Sequence, residues 1–106
     1  MIEKSEVLYV TLDSLGAGSV QFTARKARVL LRVTKVTVEM TVTSSGTVIL
    51  RKVGQFLTSM PVAPWMEAVG NEGLYVSEFL TGTVENGPMN AVTKFTFFYT
   101  EEPVNP

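Results

Sequence analysis

The stretch VLLRVTKVTVEMTVT, from Val29 to Thr43, decides the fold. It contains neither Gly nor Pro and is dense in β-branched side chains, which suit a pleated, half-buried surface. Val36, Val38, Met40 and Val42 share one parity while Thr37, Glu39, Thr41 and Thr43 share the other, the period-2 pattern of a strand with one buried side. Upstream the parity reverses: Val29, Leu31 and Val33 are odd-numbered, and Arg28, Arg32 and Thr34 are even-numbered. A one-residue slip turns every side chain to the opposite face unless a bulge or bend absorbs it. The pattern therefore predicts two strands joined near Thr34 and Lys35 by a bulge or a sharp corner, at which the chain would pass from one packed sheet to the next.

Working outward, Val7 to Leu12 (VLYVTL) is apolar at both parities, as expected for a strand buried between layers or in a subunit contact. The turn Asp13 to Ser19, with Gly16 and Gly18, leads to a short strand around Val20, Phe22 and Ala24 that is expected to return beside the first as a hairpin. A second hairpin is expected about Ser44-Ser45-Gly46, pairing the organising stretch with Thr47 to Val53. From Gly54 to Gly73 periodicity is lost. Pro61 and Pro64 leave room for a short strand at Phe56 to Thr58 and one helical turn at Trp65 to Val69. Leu74 to Leu80 reads as a strand, TGTVENGPMN as a turn region, and Val92 to Thr100 as a final strand whose core face carries Phe95, Phe97 and Tyr99. Residues 101–106 read as a polar, solvated tail.

The sum is an all-β chain, an antiparallel β-sandwich of about seven to eight strands, with a single jelly roll as the leading form. At 106 residues it reads as one domain. Hydrophobic residues make up 45% and charged residues 18%, too apolar for disorder. A net charge of −1 argues against a protein built to neutralise phosphates, so no nucleic-acid partner is expected. Without a long apolar run or a recognisable leader, neither a membrane span nor a cleavable export signal is expected.

Candidate chemistry is sparse. The chain has no His and no Cys, which removes His-assisted nucleophiles and the usual zinc ligands; with Asp13 as the sole aspartate, a multi-carboxylate calcium loop also fails. No enzymatic activity, metal or cofactor is expected. Glutamate pairs such as Glu67 with Glu72, or Glu78 with Glu85, arise in any chain so rich in Glu. Two surfaces stand out. Arg25, Lys26, Arg28, Arg32 and Lys35 form a run of positive charge: either a solvated face that protects a sheet edge, or a contact with an acidic neighbour. The acidic neighbour on offer is the chain's own Glu3, Glu6, Glu101 and Glu102 in a second copy, joined head to tail. Met60-Pro61-Val62-Ala63-Pro64-Trp65-Met66 is the second: either a plug that buries Trp65 over the open end of the sandwich, or a loop on which Met60, Trp65 and Met66 anchor a partner. A glycan stacked on Trp65 and Tyr75 is a further candidate.

The order of elements resembles the small jelly-roll proteins among the minor structural proteins of tailed bacteriophages. The resemblance lies in Leu15-Gly16-Ala17-Gly18-Ser19 before Val20-Gln21-Phe22, then Arg32 to Val38 leading into Ser44-Ser45-Gly46. It continues in Gly73-Leu74-Tyr75-Val76, Leu80-Thr81-Gly82, a turn and the last strand from Ala91 to Thr100. It implies a non-enzymatic tail or capsid-surface component of the virion, made in the host cytoplasm, whose partners are other copies of itself and other virion proteins. The alternative implied by the residues is a carbohydrate- or receptor-binding module that uses the Trp65 loop.

Overall fold

The computed structural model describes residues 2–41 and 45–103. The expected continuation of the organising strand to Thr43, the Ser44 part of the expected turn, and residues 104–106 of the expected tail lie outside the described residues.

Among the described residues there are eight strands: β1 (Glu3–Thr11), β2 (Gly18–Thr23), β3 (Val29–Met40), β4 (Thr47–Lys52), β5 (Gln55–Pro61), β6 (Trp65–Leu74), β7 (Phe79–Glu85) and β8 (Val92–Pro103). They form two four-stranded antiparallel sheets, in the order β1-β8-β3-β6 and β2-β7-β4-β5. This is the connectivity of a jelly roll. The chain folds as one long hairpin about Val53-Gly54 whose arms pair β4 with β5, β3 with β6, β2 with β7 and β1 with β8, and the double strand then rolls into two layers.

The slip in β3 is a bulge. Val33 and Lys35 occupy successive pairing positions opposite Tyr99 and Phe98, which leaves Thr34 as the extra residue. It is not a corner: β3 pairs with β8 on both sides of the bulge, so the strand stays in one sheet throughout. An inserted residue restores the inward apolar parity without breaking the ladder, and the sheet change expected here is unnecessary.

The two expected hairpins are corrected by the same topology. β1 and β2 lie in different sheets, as do β3 and β4, so the turns after Leu12 and Met40 cross between layers. A Gly-rich turn serves a sheet crossing as well as a hairpin. Asp13 closes the first turn, its Oδ1 accepting from the amides of Leu15 at 2.8 Å and Ala17 at 3.0 Å. Gly16, at φ 72°, donates to the Asp13 carbonyl, and its own carbonyl accepts from the Gly87 amide at 2.9 Å, tying this turn to the one between β7 and β8.

Three further expectations change. Trp65 to Val69 is the start of β6, not helix, and the expected strand at Phe56 to Thr58 extends to the whole of β5. Leu74 to Leu80 is split by a turn in which Glu78 Oε2 accepts from the Tyr75 amide at 2.9 Å, and Thr81 to Glu85 continue β7 where a turn is expected. Glu101, Glu102 and Pro103 are not tail but the end of β8, paired with Leu31, Leu30 and Val29.

The core lies between the sheets. Phe95, Phe97 and Val38 from the first sheet meet Phe22, Val48 and Val84 from the second, all essentially buried. Each such side chain contributes about 1.5–3 kcal/mol on burial. Phe97 stacks on Phe22 across the layers at 5.0 Å between ring centroids, with Phe95 6.3 Å along the sheet and Tyr99 against Phe22 at 5.3 Å. The face carrying Phe95, Phe97 and Tyr99 is therefore the core face expected from the alternation.

A candidate docking surface on the first sheet

Side chains of opposite parity in β1, β8, β3 and β6 point away from the core and make the outer face of the first sheet. The register sets them in rows across the strands. One row reads Tyr9, Lys94, Glu39, Trp65; the next reads Val7, Thr96, Thr37, Glu67; the third reads Ser5, Phe98, Lys35, Val69.

The face divides along the strands into two halves of different chemistry. The half nearest Val92 and Trp65 is apolar at its margins, with Tyr9 65% exposed, Val92 57% and Trp65 55%. Between the two aromatics sits a half-exposed ion pair, Lys94 Nζ to Glu39 Oε2 at 3.6 Å. Val69, at 80% exposure, continues the apolar margin along the β6 edge. The half beyond the bulge is charged and internally bonded. Arg32 donates to both carboxylate oxygens of Glu102 at 3.1–3.2 Å and to Asn71 Oδ1 at 3.2 Å. Glu102 holds the Arg32 guanidinium above its ordinary pKa, first through those hydrogen bonds. Thr34, the bulged residue, donates to Glu3 Oε2 at 2.9 Å, and Lys35 Nζ sits 4.6 Å from the centroid of the Phe98 ring.

The second sheet's outer face is different. Ser19, Gln21, Thr23, Thr81, Thr83, Thr47 and Ser59 dominate it, with Ile49, Phe79 and the exposed Phe56 as exceptions. The exposed apolar residues are more numerous on the outer face of the first sheet.

The residues singled out from sequence do not share one surface. Trp65 stands out from the first sheet, but Met66, next to it in β6, points inward opposite Val38 and is core. Met60 packs half-buried against the core from β5 in the other sheet. The plug reading therefore fails for Trp65 and the anchor reading fails for Met66, because strand alternation sends the two to opposite sides. Tyr75 follows β6 at its far end, about 30 Å along the strand from Trp65, so the two rings cannot hold one sugar.

Arg25, Lys26 and Arg28 lie on the connection from β2 to β3, away from Trp65. Of the acidic residues expected to meet a second copy, Glu3 accepts from Thr34, and Glu101 and Glu102 have basic partners within the chain. Glu101 takes an ion pair from Lys4 and another from Lys26, the latter at 2.9 Å, and Glu102 takes Arg32. The rolled hairpin brings both ends of the chain to the basic run. Hydrogen bonds from Lys4 and then Lys26 hold the Glu101 carboxyl below its ordinary range, and Glu101 raises the Lys4 ammonium.

Val92 and Val69 are not among the residues singled out from the sequence, whereas Val7 and Tyr9 belong to the stretch read as buried between layers or in a subunit contact. For Tyr9 and Val7 the signal was present: an apolar strand at both parities has one apolar side to spare once the other is in the core. Among the described residues, no three His, Cys, Asp or Glu side chains are grouped so as to hold a metal. No protein-family model matches the chain, and no curated protein is significantly similar to it.

Proposed function

We propose that this jelly roll is a non-enzymatic structural protein of a phage virion, a minor tail or capsid-surface component that works by docking against other copies and other virion proteins. The observation that carries the reading is the exposed apolar set Val7, Tyr9, Val92, Trp65 and Val69 on one outer sheet face, where Ser, Thr and Gln dominate the other. Within the basic run, Lys26 and Arg32 are paired inside the chain with Glu101 and Glu102, which leaves the apolar set as the main feature of this face. The jelly roll is an architecture shared by viral capsid and lectin domains, which supports the same reading. The test is mass spectrometry of purified virions from cells that encode the chain. Wild-type protein is expected in the particles and the Trp65→Lys variant is expected to be depleted from them at least tenfold. Absence of the wild-type chain from particles overturns the proposal.

One observation favours a second reading, a glycan-binding module. Tyr9 and Trp65 flank Lys94 and Glu39 in one row across four strands, which spaces the aromatics by about 14 Å, the reach of a short oligosaccharide. Glycan-array binding that disappears in Trp65→Ala would favour it over assembly.

A further inference from the structure

Four strands lie at sheet edges, and three of them are blunted. β2 is short, six residues beginning at Gly18. β5 shares an irregular register with β4 at Leu50 and Arg51 and ends at Pro61, which has no N–H to donate. β6 is irregular between Val69 and Glu72, carries Gly70 and Gly73, and places Glu67 on its outer face. Short length, bulges, Pro and charge are the means by which proteins stop sheet edges from pairing with other chains.

β1 is the exception. Its register with β8 runs without interruption from Glu3 to Thr11, and β8 is its one hydrogen-bonded neighbour among the described residues. Its first half is protected by charge, with Lys4 and Glu6 directed to the inner side. The second half, Val7-Leu8-Tyr9-Val10-Thr11, has no charge, Gly, Pro or bulge. Leu8 and Val10 lie partly buried against the core while Val7 and Tyr9 stand exposed on the outer face. Such an edge presents a straight row of amides and carbonyls flanked by apolar side chains on both faces, a template for strand addition.

Resting on the assembly reading above, we infer that Val7–Thr11 pairs antiparallel with the same five residues of a second copy, which joins the first sheets of two molecules into one eight-stranded sheet. The occupant is a second copy because the segment is complementary to itself. A two-fold axis at Tyr9 sets Tyr9 opposite Tyr9, Leu8 opposite Val10 and Val7 opposite Thr11, and leaves Glu6 beyond the ladder, where no like charges face each other. Shifting the axis toward the N-terminus brings Glu6 and then Lys4 into the ladder, so the five-residue ladder free of charge is the one centred on Tyr9. The ladder is about 17 Å long and the contact correspondingly modest, so the pairing is a reversible dimer that strengthens when copies are held together on a scaffold.

The test is sedimentation of the intact chain over a dilution series from roughly 1 mM to 1 µM, alongside amide exchange. Wild type is expected to dimerise, with exchange of β1 amides slowed at high concentration. Tyr9→Lys and Tyr9→Glu, at a site exposed in the monomer, are each expected to raise the dissociation constant at least tenfold. An equimolar mixture of the two is expected to recover the dimer, because Lys then faces Glu across the axis. Trp65→Lys, on the same face but at the far edge, is expected to leave the dimer intact. A dimer lost in Trp65→Lys with β1 amides unprotected overturns edge pairing while leaving face docking standing. A wild-type chain that stays monomeric at the highest concentration also overturns it, and virion incorporation then decides the assembly reading separately.

Discussion

Gly82 lies directly under the ring of Phe95. A Cβ built on Gly82 would sit 2.5 Å from Phe95 Cε2 and 2.9 Å from Cδ2. Gly82 occupies the middle of β7, paired with Val20 on one side and Leu50 on the other, and Phe95 faces it from β8 in the opposite sheet. The missing side chain is a notch in one layer that receives a fully buried ring of the other, and the Phe95–Phe97–Phe22 stack is seated against that notch.

Gly82→Ala is therefore expected to destabilise the protein by roughly 1–3 kcal/mol, an overpacking cost, because the obstructing atoms belong to a ring that has no free rotamer in the core. Phe95→Ala is expected to cost about 3–5 kcal/mol. Combining Gly82→Ala with Phe95→Leu should cost less than the sum of the two single changes, since the smaller side chain clears the added methyl group. Denaturant midpoints for wild type, Gly82→Ala, Phe95→Leu and the double variant check the coupling; strict additivity would mean that the notch has no role.

The tip of the central hairpin carries strain of a different kind. Val53 and Gly54 are both left-handed, at φ 49° and 82°, between the paired residues Lys52 and Gln55. That is a two-residue turn of the type that prefers Asn-Gly, and a β-branched residue fits its first position poorly. Val53 is half-exposed, so its side chain gains little from packing there. Val53→Asn is expected to raise stability by about 1 kcal/mol, read as a higher thermal midpoint. A lower midpoint would show that the valine side chain contributes more to the tip than the strain removes.

How far the sequence reveals this molecule follows from which interactions are local. β3 and its bulge are legible because alternation and its slip are properties of a single strand, and Phe95 and Phe97 are legible as core for the same reason. Pairing is not legible: the arms of the rolled hairpin join β1 to β8 across nearly the whole chain, and Gly16 or Gly46 marks a turn without saying whether the next strand returns or crosses. β6 hides because Trp65 and Val69 are apolar on its outer side, Glu72 lies on its inner side, and the irregular Gly70-Asn71 interrupts the register, which together erase the contrast between its two faces. Trp65 is conspicuous by type, but its exposure and the inward turn of Met66 depend on β6 being a strand. The β1 edge was half visible, since VLYVT is apolar at both parities; that its outer side lacks a neighbour is a fact of topology.

Thr93 is fully buried in β8, between Val10 of β1 and Met40 of β3, and its Oγ1 has no hydrogen-bond partner among the described residues. A buried hydroxyl without a partner keeps its desolvation penalty, about 1–3 kcal/mol. Val has nearly the same shape. Thr93→Val is accordingly expected to stabilise the fold by up to about 1 kcal/mol, whereas Thr93→Ser, which keeps the hydroxyl and removes a packed methyl group, is expected to destabilise it. Chemical denaturation of the two variants against wild type separates these effects, and a loss of stability in Thr93→Val would indicate that the hydroxyl is satisfied in solution.

The contact of Glu101 with Lys4 and Lys26 makes the end of β8 sensitive to pH at both extremes. Glu101 is held below its ordinary value of 4.5, chiefly by the hydrogen bonds from Lys4 and then Lys26. A carboxylate whose folded pKa is depressed contributes stability that is fully present above its unfolded pKa and is lost as pH falls through the folded one. Lys4 is raised from 10.5 by the same contact, so its contribution is present below that value and is lost as pH rises through the raised one. The ends that these charges clamp are β1 at Lys4 and β8 at Glu101, which pairs with Leu31. Amide exchange around Leu31 and Glu101 is therefore expected to speed up below pH 4.5, beyond the intrinsic pH dependence of exchange, while the amides of Phe95 and Phe97 stay protected. In Glu101→Gln the acid step should vanish and exchange at these amides should be faster already at neutral pH. An acid step of unchanged size in Glu101→Gln would assign the fraying to another carboxylate.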